Sequence, residues 1–247
     1  MKAMVLAAGL GTRLRPLTNA RPKALVEVGG KTLLEITLTR LRTFGVREAI
    51  VNVHHFAGQV ISFLKAHDNF GMRIEVSRED VLLDTGGGLK KAGWFFQEKS
   101  DPVDEPFILH NVDVVSTVDL ERVVRVHKEN GALATLAVQQ RDSSRQLLFD
   151  EGMQLCGRRA GRDAQSEMVR TVQQPQALAF SGIHLISPRL RSLMKEDGVF
   201  SIIDCYLRLA GAGQKIAAFR ADEYYWRDLG KPADLEQAAR DMEQGLF

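Results

Sequence analysis

The first third of the chain combines two hydrophobic patterns. Short apolar or alternating runs bounded by turn residues predict strands at residues 4–8, 49–53 and 73–77. Apolar residues at helical spacing predict helices at residues 33–44 and 60–64, the first of them ended by a glycine. This β-α-β-α-β order indicates a mainly parallel sheet with right-handed crossovers, so we expect an α/β protein with a single three-layer α/β/α domain.

The pattern continues towards the C-terminus, apart from one polar stretch. The remaining predicted elements are a helix at 84–94, a strand at 107–115, a helix at 119–130, strands at 132–138, 147–150, 153–156 and 179–186, a helix at 201–209, a strand at 215–219 and a closing helix at 233–245. Residues 157–167 are rich in arginine, glycine and other polar residues, so we predict a mobile loop there. Such a loop is either simply solvated or a lid over an anionic substrate.

Composition narrows the class of protein. The chain has 247 residues, 45% of them apolar and 26% charged, as in an ordinary globular domain. A net charge of +2 is too small to indicate a nucleic-acid surface. Two cysteines form no disulfide framework, and no apolar run is long enough for a secretion signal or a membrane span. We therefore expect a cytoplasmic protein with no nucleic-acid or membrane partner, and the sequence leaves its oligomeric state open.

The stretch after the first predicted strand suits a polyphosphate. Gly9 and Gly11 allow backbone N–H groups to approach a ligand closely, and Arg13, Arg15 and Lys23 supply positive charge. Two commoner phosphate motifs do not fit. The G-x-G-x-x-G fingerprint lacks its third glycine, and the Gly-Lys-Thr at residues 30–32 lacks the earlier glycine of a Walker A loop.

The motif that does fit is L-A-A-G-x-G-T-R-x-x-P-L-T followed by P-K, at residues 6–18 and 22–23. It resembles the opening of the sugar-1-phosphate nucleotidyltransferases, which join a nucleoside triphosphate (NTP) to a sugar 1-phosphate. The resemblance implies a Rossmann-like mixed sheet of the nucleotide-diphospho-sugar transferase type. It also implies a nucleotide-binding half at about 1–115 and a sugar-phosphate-binding half at about 116–247. The implied nucleotide-binding residues of the loop are Ala8, Gly9, Gly11, Thr12, Arg13 and Lys23, with Arg13 and Lys23 also serving catalysis.

A triple glycine follows Asp84 and Thr85 at the start of a predicted helix. Asp84 or Thr85 is a good N-cap, and the glycines exceed what a cap needs. We predict a backbone surface on which a flat base lies, with N–H and C=O groups reading its edge. The resemblance implies the same role, so Thr85, Gly86 and Gly87 are assigned to nucleotide binding.

Two aspartates are candidate metal ligands. Asp113 ends a predicted strand, where a carboxylate can hold a hard cation such as Mg²⁺. The resemblance assigns Asp113 a catalytic role and makes Asp228, in a W-x-D-x-G segment, the second ligand. Relatives have a glycine before the first aspartate, whereas this chain has Val112, which we expect to leave less room beside the phosphates.

The sugar side departs further from the family pattern. Ser181 and Gly182 resemble the family's sugar-side strand, and we assign them to the sugar phosphate. Many members place E-K-P upstream, where this chain has Gln173-Gln174-Pro175, so Gln174 can supply only a neutral hydrogen bond.

The resemblance implies a Mg²⁺-dependent reaction of an NTP with a sugar 1-phosphate, giving a nucleotide sugar and pyrophosphate. Members acting on N-acetylmuramate 1-phosphate, or on mannose and heptose 1-phosphates, resemble the chain most, which favours UTP or GTP. A cytidylyltransferase acting on a phosphocholine-like alcohol phosphate and a non-catalytic nucleotide-sensing subunit are the alternatives.

Overall fold

The strands lie close to the predicted ones. A computed structural model describes residues 1–97, 105–161 and 165–247. Its strands are β1 (Lys2–Leu6), β2 (Glu27–Val28), β3 (Lys31–Thr32), β4 (Glu48–Val53), β5 (Arg73–Arg78), β6 (Phe107–Asn111), β7 (Val114–Ser116), β8 (Ala134–Gln139), β9 (Arg145–Phe149), β10 (Leu155–Ala160), β11 (Glu167–Met168), β12 (Gln176–Ile186), β13 (Ile216–Arg220) and β14 (Trp226–Asp228).

The helices follow the apolar spacing of the sequence. They are α1 (Leu33–Thr43), α2 (Ala57–Ala66), α3 (Asp84–Ala92), α4 (Leu120–Asn130), α5 (Leu190–Leu193), α6 (Ile202–Gly211) and α7 (Pro232–Glu243). The Thr32 hydroxyl caps α1 by accepting the N–H of Glu35, and Asp119 caps α4 in the same way. None of the described helices is long and apolar enough to span a membrane.

The central sheet is mixed. Strands β5, β4, β1 and β6 are neighbours in that order and run parallel. Strand β12 pairs antiparallel with β6 on one side and β8 on the other, and β13 runs parallel to β8. The carboxyl ends of β1 and β6 therefore lie side by side at one edge of the sheet, which is where ligands bind in open α/β sheets.

Side chains alternate across this sheet into two apolar layers. On β1, Ala3 and Val5 pack with the buried residues of α1, α2, α4 and α7. Met4, between them, packs with the buried residues of α3 and α6 on the opposite face. The period-2 alternation of a strand thus produces the predicted three-layer α/β/α arrangement, and the predicted α/β class is confirmed.

The predicted loop at 157–167 is wrong in its first part. Residues 157–160 continue β10, because they pair antiparallel with β9, and Gly157 and Arg158 also pair with β11. Arg158 is held further by ion pairs with Glu167 and Asp204. Polar composition hid this strand, because its residues past Gly157 are half-buried or exposed. Residues 162–164 of the predicted loop lie outside the described residues.

Candidate active site

The loop after β1 forms the floor of the site. Gly11 adopts a left-handed backbone with φ of 66°, and a Cβ there would lie 2.8 Å from the Cγ2 of Thr18. The Thr18 hydroxyl closes the loop by donating to the Gly11 carbonyl at 2.8 Å. Only glycine fits this turn without strain. Gly9 is exposed, with open space where a Cβ would stand, so the loop offers room for a ligand on that side.

Two cations and two carboxylates meet beside this loop. The Lys23 ammonium pairs with the Asp113 carboxylate, and both side chains are largely buried. The Arg13 guanidinium lies 3.9 Å from Asp228. The predicted Arg13, Lys23, Asp113 and Asp228 are therefore brought together, although they span most of the sequence.

Strand β14 carries Asp228 to the site. This strand was missed by the sequence analysis, because three residues are too few for a pattern. It pairs antiparallel with β7, which sets Asp228 opposite Val114, and the N–H of Leu229 donates to the Asp113 carbonyl at 2.8 Å. The Asp228 carboxylate in turn accepts the N–H of Gly230 at 2.9 Å. A Cβ at Gly230 would lie 2.4 Å from the Arg13 guanidinium, so a glycine here lets the arginine approach.

The two carboxylates of the site differ in how their surroundings affect them. Burial raises the pKa of Asp228, and the neighbouring charge of Asp113 raises it further, while Lys23 and Arg13 act in the opposite direction. Among the described residues, no group of three or more His, Cys, Asp or Glu side chains could hold a metal ion. Two carboxylates suit Mg²⁺ all the same, because it usually takes one or two protein carboxylates and completes its shell with phosphate oxygens and water.

Val112 does not crowd this site as predicted. Its side chain is 3% exposed and packs in the core with the residues of α1. Its N–H donates to the Leu6 carbonyl, which ties the residue after β6 to the end of β1. The valine therefore fills the core beneath the sheet edge, and the expected loss of room is wrong.

A buried polar pair, missed by the sequence analysis, connects the two loops assigned to the nucleotide. The Asn52 amide oxygen accepts the N–H of Ala7 at 2.7 Å, and its nitrogen donates to the Glu79 carboxylate at 2.7 Å. The second oxygen of Glu79 accepts the N–H of Leu83 at 3.0 Å. Asn52 and Glu79 are each 2% exposed. A signal was present, since Asn52 interrupts an apolar strand, but its partner lies 27 residues away.

The triple glycine packs against protein instead of offering an open platform. The N–H groups of Gly86 and Gly87 both donate to the Phe200 carbonyl, so neither is free to read a base. A Cβ at Gly87 would lie 2.3 Å from the Gly198 carbonyl oxygen, and a Cβ at Gly86 would meet the Phe200 ring. These glycines allow close helix packing.

The start of α3 agrees in part with the predicted cap. Leu83, the residue before the helix, makes no side-chain capping bond, but the Asp84 carboxylate accepts the N–H of Thr85 at 2.6 Å. The Thr85 hydroxyl accepts the N–H of Ile202 at 3.0 Å, at the start of α6. Asp84 stands exposed with φ of 59°, so the exposed part of this turn is Asp84 and not the glycines. The assignment of Thr85, Gly86 and Gly87 to the nucleotide stays a prediction.

Ser181 and Gly182 lie beside the segments that carry Asp113 and Asp228. A Cβ at Gly182, which has φ of 73°, would lie within 3 Å of Val114 and Asn111. Gln174 does not join them. It is exposed and lies two residues before β12, and an extended strand separates Gln176 from Ser181 by about 17 Å at ~3.3 Å per residue.

Comparison with known proteins yields one family. Residues 2–147 match the family model described as Nucleotidyl transferase. The chain is 37% identical to the N-acetylmuramate alpha-1-phosphate uridylyltransferase of Caulobacter vibrioides, over 96% of each chain. It is 30% identical to the UTP–glucose-1-phosphate uridylyltransferase of Synechocystis sp., over 97% of this chain but only 63% of that relative. A probable mannose-1-phosphate guanylyltransferase of Oryza sativa is 28% identical and is likewise covered over 62% of its length.

Solved structures share the fold. HddC from Yersinia pseudotuberculosis complexed with GMP-PN superposes with a TM-score of 0.75 at 23% identity, over 98% of this chain and 99% of that one. UDP-glucose pyrophosphorylase complexed with UDP-glucose gives a TM-score of 0.80 at 16% identity, over 99% of this chain and 98% of that one.

Because Glu79 is buried, we expect the stability of the protein to depend on its two carboxylate oxygens, which both accept hydrogen bonds. In Glu79→Gln, an NH₂ group replaces one of the two accepting oxygens. This group would face a second donor, either the Asn52 amide nitrogen or the N–H of Leu83. Asn52 cannot turn to relieve the conflict without losing the N–H of Ala7. We expect a loss of about 1–3 kcal/mol of unfolding free energy, the usual range for an unsatisfied buried polar group. Urea denaturation measures it. Asp80→Asn, on the exposed neighbour, should change stability by less than about 0.5 kcal/mol. Equal losses of unfolding free energy in the two variants would contradict a stabilising role of the Asn52–Glu79 pair.

Because Gly87 packs against the protein backbone, we expect a larger side chain at this position to destabilise the protein. Gly87→Ala drives a Cβ into the Gly198 carbonyl, so we expect a loss of about 1–3 kcal/mol, as in other overpacked cores. Gly58 is the matched control, because it lies in α2 with open space around it. Gly58→Ala should stabilise the protein by up to about 1 kcal/mol through helix propensity. Thermal melting compares the two, and a Gly87→Ala variant as stable as the wild type would overturn the packing account.

Proposed function

The chain belongs to the nucleotidyl transferase family, and we propose that it joins an NTP to a sugar 1-phosphate, releasing a nucleotide sugar and pyrophosphate. Family membership confirms the resemblance read from the sequence. The reaction class is supported by the relatives, among them uridylyltransferases and a probable guanylyltransferase acting on sugar 1-phosphates.

One observation in this chain carries the proposal. Asp113, which follows β6, and Asp228, which ends β14, lie beside the glycine-rich loop and are paired with Lys23 and Arg13 respectively. A site that must hold two polyanionic substrates needs both fixed cations and carboxylates for a metal ion. A nucleotide-sensing subunit would need the cations but has no use for the paired carboxylates, so the enzyme is favoured.

The substrates proposed are UTP and an amino-sugar 1-phosphate. This choice rests on the Caulobacter uridylyltransferase, which is covered over 96% of its length. The other relatives named above are covered over less than two thirds of theirs and support only the reaction class. GTP is the second candidate for the nucleotide substrate. We assign the nucleotide to residues 1–115 and the sugar phosphate to residues 116–247, because Asp113, between the two parts, would face both.

The chemistry needs positioning and charge neutralisation rather than a base. An oxygen of the sugar phosphate attacks the α-phosphorus of the NTP, a P–O bond forms, and the bond to the leaving pyrophosphate breaks. Phosphate monoesters have a second pKa of about 6, so the attacking oxygen is already largely ionised near neutral pH. Holding both phosphates in line therefore supplies most of the rate enhancement.

Each charged side chain has a proposed part in this reaction. Asp113 and Asp228 would hold Mg²⁺, which when bound neutralises the phosphates and fixes their geometry. Arg13, on the exposed loop, binds the phosphates that leave as pyrophosphate. Lys23 is paired with Asp113. Its ammonium would also suit the α-phosphate, and Asp113 would then be available to hold the metal ion.

A substrate screen with two variants tests the proposal. Four NTPs against glucose, mannose and N-acetylmuramate 1-phosphates, with pyrophosphate release as readout, should give turnover with Mg²⁺ and none in excess EDTA. Asp113→Asn and Asp228→Asn should lower kcat by more than about 100-fold, comparable to losing one transition-state stabiliser. Nucleotide binding by calorimetry without turnover for any pair would identify a sensor, and full activity in EDTA would exclude the metal.

The two arginines of the loop should differ in kind. Arg13 lies beside Asp228, whereas Arg15 is exposed two residues further on. A guanidinium binds two phosphate oxygens at once and an ammonium does not. Arg13→Lys should therefore lower kcat more than it raises the KM for NTP, the mark of an interaction gained in the transition state. Arg15→Lys is the control and should be milder in both. A greater loss of kcat for Arg15→Lys would reject the assignment of Arg13.

A further inference from the structure

A third arginine lies at the site and has no part in the reaction so far. Arg141 follows β8, and its guanidinium stacks on the Trp226 ring, 3.6 Å from the ring centroid. One N–H of its Nη2 donates to the Phe180 carbonyl at 2.8 Å. The side chain is half-buried, so the stacking and this hydrogen bond hold the charge in one place.

The geometry of β14 places the Arg141 guanidinium near Asp228, one of the two proposed metal ligands. Trp226 and Asp228 are two residues apart in β14, so their side chains lie on the same face of the strand. Burial lowers the pKa of Arg141, and the negative charge of Asp228 opposes that shift. Asp228 thus has Arg13 on the side of the glycine loop and Arg141 on the side of β12.

Two polar groups in this corner have no partner within the described parts of the chain. They are the Nε of Arg141 and the hydroxyl of Ser181, both buried. Both belong to one connected group, because Phe180 accepts from Arg141 while the carbonyl of Ser181 accepts from the Trp226 indole at 2.7 Å. Buried donors without acceptors cost free energy, and an arriving anionic oxygen would recover it.

The three residues that lead into β12 supply no positive charge. Gln173 and Gln174 are neutral and exposed, and they precede β12 at a distance from Ser181. A sugar 1-phosphate carries up to two negative charges near neutral pH. Arg13 and Lys23 are already assigned to the nucleotide, so the acceptor phosphate needs its own counter-charge.

We propose that Arg141 binds the phosphate of the sugar 1-phosphate and orients it beside Asp228, with the Ser181 hydroxyl as a second donor. The inference rests on the proposed function, because it takes a sugar 1-phosphate to be the second substrate. It makes Arg141 the source of the positive charge that Gln173 and Gln174 do not supply.

The test compares Arg141→Gln and Arg141→Lys with Arg145→Gln. Arg145 is exposed in the same segment of the chain and serves as the matched control. With the substrate pair found in the screen, Arg141→Gln should raise the KM for the sugar 1-phosphate by about 10-fold or more, as expected for losing a hydrogen bond to a charged group. The KM for NTP should stay within about 2-fold, because the nucleotide contacts are untouched. Arg141→Lys should recover part of the loss, and Arg145→Gln should match the wild type.

Calorimetry keeps this test separate from the proposed reaction. Glucose 1-phosphate and N-acetylmuramate 1-phosphate are titrated into wild type and Arg141→Gln, with thermal melting as the check on folding. Weaker binding by a folded Arg141→Gln supports the proposal even if no pair turns over, an outcome that would reject only the proposed reaction. Equal binding to the two proteins, no binding to the wild type, or a KM for NTP that rises as much as that for the sugar phosphate would overturn it.

Discussion

The close approach of Asp113 and Asp228 is the constraint around which the rest of the site is arranged. Burial raises the pKa of Asp228, and the neighbouring negative charge of Asp113 raises it further. Lys23 and Arg13 act in the opposite direction, since each pairs with one of the two carboxylates. Both cations also suit phosphates, so the proposed substrates would meet a site in which positive and negative charges are balanced.

Buried hydrogen bonds and close packing lie on the core side of this charged cluster, and exposed residues lie on its solvent side. The Asn52–Glu79 pair lies in the protein interior, where its hydrogen bonds fix the starts of the two loops assigned to the nucleotide. The triple glycine lets α3 pack against the segment before α6. In front, Gly9 and Asp84 are exposed. A fixed frame of this kind lets binding free energy go into orienting the reacting phosphates instead of ordering the loops.

Local patterns were sufficient for much of the fold. The Gly9-to-Lys23 motif, which indicated the family, and the helical spacing of α1 are properties of neighbouring residues, and both the family and this helix are confirmed. The strand beyond Gly157 was missed because β10 is held by pairing with β9 and β11, which leaves no apolar period in its own residues. The packing of the three glycines against Phe200 was not predicted, for a related reason. Glycine permits a close approach, and the sequence does not say whether a ligand or Phe200 makes it.

The sequence by itself determined the family, the α/β class and the four charged residues of the proposed chemistry, because each is written in a short motif or a period. Only the tertiary structure decided which groups meet. Arg141, Ser181 and Trp226 come from segments that follow β8, lie within β12 and form β14, and nothing local to any of them indicates the others. Their juxtaposition arises from antiparallel pairing of β12 with β8 and of β14 with β7. Such pairing depends on contacts between distant residues, which a linear pattern does not contain.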